Sequence, residues 1–168
     1  SPTHPGLTWR RGTAPYSATM DFAPSPRALA LQEPLRRFMQ DLVLPSHGDW
    51  LRWADAGAYP LDVIEPLKER ARAVGLWNLF LPELRADEPG TRLTNGDYAP
   101  LAELMGRVPW ASEVFNCSAP DTGNMELLHR FATPAQRQQW LTPLLHGRIR
   151  SCFAMSEPDV ASSDPTNL

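Results

Sequence analysis

Residues 149 to 168 read Ile-Arg-Ser-Cys-Phe-Ala-Met-Ser-Glu-Pro-Asp-Val-Ala-Ser-Ser-Asp-Pro-Thr-Asn-Leu, and they mark where the hydrophobic period of the chain changes. Ile149, Phe153 and Met155 fall on one face and Arg150 on the other, with Ser151 between. That alternation predicts a short strand over Ile149 to Met155. Beyond it, Pro158, Asp159, Ser162, Ser163, Asp164 and Pro165 are loop residues. An isolated strand leaves a ladder of N–H and C=O groups without partners. The expectation is therefore a helical chain that ends by entering the first strand of a sheet whose remaining strands lie beyond Leu168.

Upstream the period is helical. Leu31, Leu35, Phe38, Met39, Leu42 and Val43 recur at i, i+4, i+7, i+8, i+11 and i+12. Ser25 and Pro26 suit an N-cap and first helical position, whereas Pro34 should kink that helix or restart it near Gln32. Asp49 to Ala56 reads as a short helix bearing Trp50 and Trp53. A helix over Leu61 to Val74 presents Val63, Leu67, Ala71 and Val74, with Gly75 as its C′ residue. Leu76 to Leu81 is apolar, and Glu83 to Arg92 reads as an exposed loop. Thr94, with Asp97 three positions on, is a capping-box variant opening a helix that points Tyr98, Leu101, Leu104 and Met105 inward. Pro109 opens a short helix through Phe115, and Asp121 to Phe131 forms another. Thr133-Pro134 starts the last, whose core face is Trp140, Leu141, Leu144 and Leu145, ending at Gly147.

These segments compose an all-α fold of about five to seven helices over residues 24–148, followed by the first strand and loop of a β domain over residues 149–168. Residues 1–23 differ. They are rich in Pro, Gly, Ser and Thr, carry two arginines before their single acid, Asp21, and show almost no apolar periodicity. An organelle transit peptide would share that composition. An irregular extension fits better, because Pro2, Pro5, Gly6, Gly12 and Pro15 interrupt any amphipathic helix.

A net charge of -3 gives no electrostatic case for nucleic acid, and no apolar run reaches the length of a membrane span. Cys117 and Cys152 lack a CxxC pairing and are expected to be reduced, buried thiols. The histidines lack metal-ligand spacing and read as surface or helix-end residues. Lys68 is the only lysine in an arginine-rich chain, which points to a GC-rich, bacterial coding sequence.

The stretch from Cys152 to Leu168 resembles the acyl-CoA dehydrogenase signature: an aromatic residue, two more, Ser or Thr, Glu-Pro, a small-residue loop, then Ser-Asp. Asn116 to Asn124 and Gln139 to Leu145 resemble that family too, and particularly the acyl-CoA dehydrogenase domains of its large multidomain members. The likeness runs in order and spacing from about residue 24 to 168. Asp159 stands where many members have Gly, the loop is one residue longer than the commonest version, and Pro165 replaces Ala or a similar residue.

The resemblance implies FAD as cofactor and an acyl-CoA thioester as substrate. A flavin ring needs backbone N–H groups and a hydroxyl along its edge, which Phe153, Ala154, Met155 and Ser156 would supply. Glu157, Pro158, Asp159, Val160, Ala161, Ser162 and Ser163 complete the implied cofactor-binding stretch, and Ser163 matches the serine that bonds the CoA portion of the substrate. Residues near Asp121 to Asn124 border an acyl cavity or are simply helix caps. The family's catalytic glutamate lies in a C-terminal helical domain to which no residue here maps, so Glu103, Glu113, Glu126 and Glu157 are not promoted. The implied reaction is α,β-dehydrogenation in fatty-acid oxidation, with this chain an inactive fragment by itself. The full enzyme is expected to be a homo-oligomer passing electrons to an electron-transfer flavoprotein, cytoplasmic in a bacterium or mitochondrial in a eukaryote. A non-catalytic helical module derived from the family, and an acyl-CoA oxidase, are the rival readings.

Overall fold

The computed structural model describes residues 23–156 together with 158, 164 and 166. Expectations for residues 1–22, and for Glu157, Asp159 to Ser163, Pro165, Asn167 and Leu168, lie outside the described residues. Among the described residues eight α-helices run in order: α1 (Pro26–Phe38), α2 (His47–Asp55), α3 (Leu61–Ala73), α4 (Asn95–Met105), α5 (Ala111–Val114), α6 (Asp121–Phe131), α7 (Pro134–Gln136) and α8 (Thr142–Leu145). A π-helical turn, Met39–Val43, extends α1, and another, Arg137–Leu141, joins α7 to α8. Joined in this way they make seven helical segments, so the chain is the helical domain its periodicity implied.

The helix starts follow from local chemistry. Ser25 Oγ accepts the Ala28 N–H at 3.1 Å ahead of Pro26. Thr94 with Asp97, and Thr133 with Gln136, form reciprocal capping boxes that satisfy backbone donors at the starts of α4 and α7. Ser25 also donates to Asp97 at 2.5 Å, which ties the start of α1 to the start of α4. The restart expected at Gln32 does not occur: α1 runs through Pro34, and the register widens only at Met39. Gly75 and Gly147 take positive φ, 77° and 64°, as the chain leaves α3 and α8. At Gly147 an added Cβ would meet the Trp77 ring at 2.9 Å.

One apolar core joins the longer helices, α2 touching it only through the half-buried Trp50. Leu35 and Phe38 of α1, Leu101 and Met105 of α4, Ile64, Leu67 and Ala71 of α3, Met125 of α6 and Leu144 and Leu145 of α8 all belong to it. The α3 face differs from the expected one, because Ile64 is buried while Val74 is 59% exposed. Lys68 shares the buried face. Trp140 is likewise 43% exposed rather than core. The run Leu76 to Leu81 is buried without forming a strand. The loop from Glu83 to Arg92 is not wholly exposed, since Leu84 reaches the core.

A buried amide pair closes the C-terminal end of α8, whose carbonyls have no intrahelical partners. Asn78 Nδ2 donates to the carbonyls of Leu145 and Pro89, both at 2.8 Å. Trp77 Nε1 donates to the same Leu145 carbonyl at 2.8 Å. Asn116 Nδ2 donates to Asn78 Oδ1 at 2.7 Å and to the Leu144 carbonyl at 3.0 Å. Both asparagines hold positive φ, 47° and 55°, a region that Asn tolerates better than most side chains. The pair fixes where the chain leaves α8, and therefore where residues 149–156 begin.

The predicted strand is not formed. Residues 151 to 156 run without helix, turn or ladder. Phe153 is 55% exposed and Met155 is 60% exposed. The sequence period was that of a strand, but a ladder needs a neighbouring strand, and none lies beside this segment among the described residues.

Candidate functional site: the tail on the α6 terminus

The tail leaves the helical domain through a chain of alternating charges. Lys68 Nζ, on the buried face of α3, lies 2.7 Å from Glu113 Oε1 of α5 and 3.0 Å from Glu65 Oε1. Glu113 Oε1 also contacts the Arg150 guanidinium at 2.6 Å. Arg150 Nε donates to Asp121 Oδ2 at 2.6 Å, and its other arm reaches the Tyr59 hydroxyl at 2.9 Å. Asp121 Oδ1 accepts from the Ser151 N–H at 2.7 Å and from the Ser151 hydroxyl at 2.5 Å. Asn124, one turn along α6, donates to Ser151 Oγ at 2.8 Å.

Two cations and two carboxylates therefore alternate, three of them buried and Arg150 reaching solvent, so each buried charge is compensated where burial would otherwise penalise it. Burial pulls the Lys68 ammonium down, but its bonds and attraction to Glu113, then to Glu65, outweigh that and hold it above its usual value. Arg150 is held above its ordinary range in the same way, burial being outweighed first by Glu113 and then by Asp121 and Tyr59. Asp121 opens α6, but it does not cap it. Its carboxylate is given wholly to the tail, so the helix-cap alternative for this residue does not describe what it does.

Next to this anchor, Asn124, Leu127, Leu128, Trp140, Leu144, Ile149, Arg150 and Ser151 line an open groove of about 270 Å³, mostly apolar. Gly123 faces Phe153: a Cβ there would stand 3.3 Å from Phe153 Cζ, so the ring lies against bare backbone. Phe153, Ala154, Met155 and Ser156 leave the groove as exposed chain without regular structure, and Pro158 is exposed. Their backbone is unladdered, and Ser156 adds one hydroxyl. Further along, the Asp164 carboxylate accepts from the Thr166 N–H at 2.9 Å and its hydroxyl at 2.7 Å. Of the implied cofactor-binding residues, Glu157, Asp159, Val160, Ala161, Ser162 and Ser163 lie outside the described residues.

A larger cleft of about 480 Å³ lies elsewhere, against the loop that carries Glu88. Its central polar groups are paired with one another: Glu88 contacts His129 Nε2 at 2.9 Å and Arg137 at 2.8 Å. Those groups hold the loop to α6 and to the π-helical turn after α7. His129, expected at the surface or at a helix end, stands in the last turn of α6 with its side chain largely buried against Glu88. Cys152, expected to be buried, is exposed, whereas Cys117 is buried.

Reasoning from sequence missed the Lys68–Glu113–Arg150–Asp121 chain. One signal for it existed. Ile64, Leu67, Lys68 and Ala71 share a helical face, so a lysine on the inner stripe of α3 required a buried carboxylate.

With that geometry in place, the family follows. The chain belongs to the acyl-CoA dehydrogenase family, and the model of that family's N-terminal domain matches residues 25–148. It is 54% identical over 149 residues to mouse acyl-CoA dehydrogenase family member 10, covering 86% of this chain and 14% of that protein. It is 50% identical over 155 residues to the probable acyl-CoA dehydrogenase FadE2 of Mycobacterium tuberculosis, covering 89% of this chain and 36% of FadE2. A solved structure from Mycobacterium abscessus, described as a candidate acyl-CoA dehydrogenase, superposes with a TM-score of 0.73 at 48% identity. That match covers 86% of this chain and 38% of the other. The chain thus spans well under half the length of these relatives. Members of the family are generally FAD-dependent enzymes of fatty-acid metabolism, and no helix described here is long and apolar enough to cross a membrane.

Proposed function

We propose that this chain is the N-terminal, substrate-facing part of an FAD-dependent acyl-CoA dehydrogenase, acting in α,β-dehydrogenation of acyl-CoA thioesters. The observation that carries this reading is the exposed tail from Phe153 to Ser156, anchored at Asp121 beside an apolar groove. When bound, FAD supplies the acceptor for the hydride that leaves the β-carbon. This chain's own residues supply positioning. Phe153 and Met155 give apolar cover, the main chain and Ser156 hydroxyl offer donors to the flavin edge, and Ser163 bonds the CoA arm. Leu127, Leu128, Trp140, Leu144 and Ile149 give an acyl chain an apolar wall. Holding thioester and flavin in line lowers the entropic barrier to reaction.

The base that removes the α-proton belongs to residues outside this chain, so the chain by itself is inactive. A later domain, a homo-oligomer and an electron-transfer flavoprotein as acceptor complete the proposed enzyme, which is cytoplasmic in a bacterium. Residues 149–168 would then be the start of its β domain. The rival non-catalytic module would be expected to replace the apolar tail face with polar groups, yet Phe153 and Met155 remain apolar and exposed.

A chimera tests the proposal. FadE2 with its matching N-terminal region replaced by this chain should purify yellow and reduce an artificial electron acceptor with acyl-CoA. The chain alone should purify colourless. A folded chimera without flavin would sink the assignment.

A further inference from the structure

We propose that Asp121 is a positioning residue that sets the path of the 150–156 tail, with Arg150 as the pivot and Lys68–Glu113 as its counter-charge. What the tail is for rests on the flavin reading above; how it is held does not. Asp121 is 3% exposed and sits in the first turn of α6, yet both of its oxygens are spent outside that helix. Oδ2 takes Arg150 Nε at 2.6 Å, and Oδ1 takes the main-chain N–H and hydroxyl of Ser151 at 2.7 and 2.5 Å. A carboxylate bonded to a side chain and to the next residue's backbone fixes both the position and the direction of the chain there.

Arg150 cannot follow a displaced tail freely. One arm of its guanidinium is held 2.6 Å from Glu113 and 2.9 Å from Tyr59. Glu113 is in turn held 2.7 Å from Lys68, which is 1% exposed on α3. Groups from α3, α5, α6 and the turn before α3 thus converge on two consecutive residues, immediately ahead of the segment that bears Phe153. Beyond Ser151 the described contacts thin to Asn124, which donates to the Cys152 carbonyl at 3.4 Å, and to the Phe153–Gly123 approach, so Asp121, with Glu113, makes the charged contacts of the tail at its point of departure.

The test uses the 168-residue chain and the Ser151 amide proton, which reports directly on its bond to Asp121. Hydrogen exchange is followed by NMR at Ser151 and at α1 and α4 core amides, in wild type, Asp121→Asn and Asp121→Ala. Asparagine keeps an acceptor for Ser151 but removes the charge that holds Arg150; alanine removes both. The expected result is a graded acceleration at Ser151, several-fold for Asn and more than ten-fold for Ala, with core amides changed less than two-fold. Equal acceleration in the core would reduce Asp121 to a generic stability residue and overturn the proposal, as would unchanged exchange at Ser151. Should Asp121→Ala not fold, Arg150→Gln removes the pivot from an outer position, and the same local acceleration is expected. Flavin incorporation by the FadE2 chimera reports separately on the cofactor reading. A colourless chimera with intact Asp121-dependent protection would reject the flavin role and leave the positioning role standing.

Discussion

Replacing Asn116 with alanine should be among the most damaging single changes in this domain, although Asn116 touches no proposed ligand. The amide donates to Asn78 Oδ1 at 2.7 Å and to the Leu144 carbonyl at 3.0 Å. Leu144 O keeps the Gly147 N–H at 2.9 Å, so that acceptor is not stranded. Asn78 Oδ1, on a residue with no exposed surface, loses its described donor. A stranded buried acceptor costs about 1–3 kcal/mol and the lost net bonding roughly 1 more. Alanine must also hold a φ of 55°, at a further cost of about 1–2 kcal/mol. The expected loss is about 4 kcal/mol, a large share of the 5–15 kcal/mol typical of a domain. In a chain of this size that lowers Tm by about 8–16 °C. Asn116→Gly removes the same bonds without the backbone strain and should be about 1 kcal/mol milder. Urea unfolding of the three proteins, comparing midpoints at constant slope, measures both quantities. A loss under about 1 kcal/mol for alanine would refute the account, since it would mean the buried bond to Asn78 is not holding the α8 terminus.

Other outcomes follow from the same structure. Burial pushes the Cys117 thiol up to about 12 from 9.0. Burial raises Tyr98 too. Because the folded pKa lies above the unfolded one, this stabilisation is complete below pH 9.0 and is lost as pH rises through about 12. Urea midpoints taken at rising pH should fall over that window, and Cys117→Ala should flatten the fall; a flat wild-type profile contradicts the argument. Glu113→Gln leaves Lys68 and Arg150 without a shared carboxylate and should cost about 3–5 kcal/mol by thermal unfolding, far above an exposed pair such as Arg37–Glu33. Thr94→Ala removes the capping box of α4 and should cost about 1 kcal/mol, read in the same assay. Gly123→Ala should leave stability unchanged or raise it by up to about 1 kcal/mol, because alanine favours helix. It should still shift the Phe153 ring resonances, since the new methyl meets a Cζ at 3.3 Å.

The helices were legible because their signals are local. A capping residue three positions ahead of its partner, a proline at N1, or an apolar stripe at a 3.6 period acts within one or two turns of chain. Thr94–Asp97 closes the box its spacing announced, Thr133 caps α7 ahead of Pro134 as expected, and α6 has the bounds its pattern implied. The family signature was legible for a similar reason, as a run of residue types in order. The faces were read less well: Val74 and Trp140 proved exposed and Ile64 buried, because which flank of a stripe meets the core depends on the crossing helix.

By itself, then, the sequence determined the helix set, the main caps and the family, all of which are read from neighbours along the chain. Only the tertiary structure decided how the tail is held. Asp121 and Ser151 lie 30 positions apart, Asn116 and Asn78 are separated by 38, and Tyr59 and Arg150 by 91. No local period encodes such pairings. They exist because packing α3, α5 and α6 into one core buries Asp121, Glu113 and the Asn78–Asn116 amides, where a carboxylate without its cation, or an amide without its carbonyl, would be too costly.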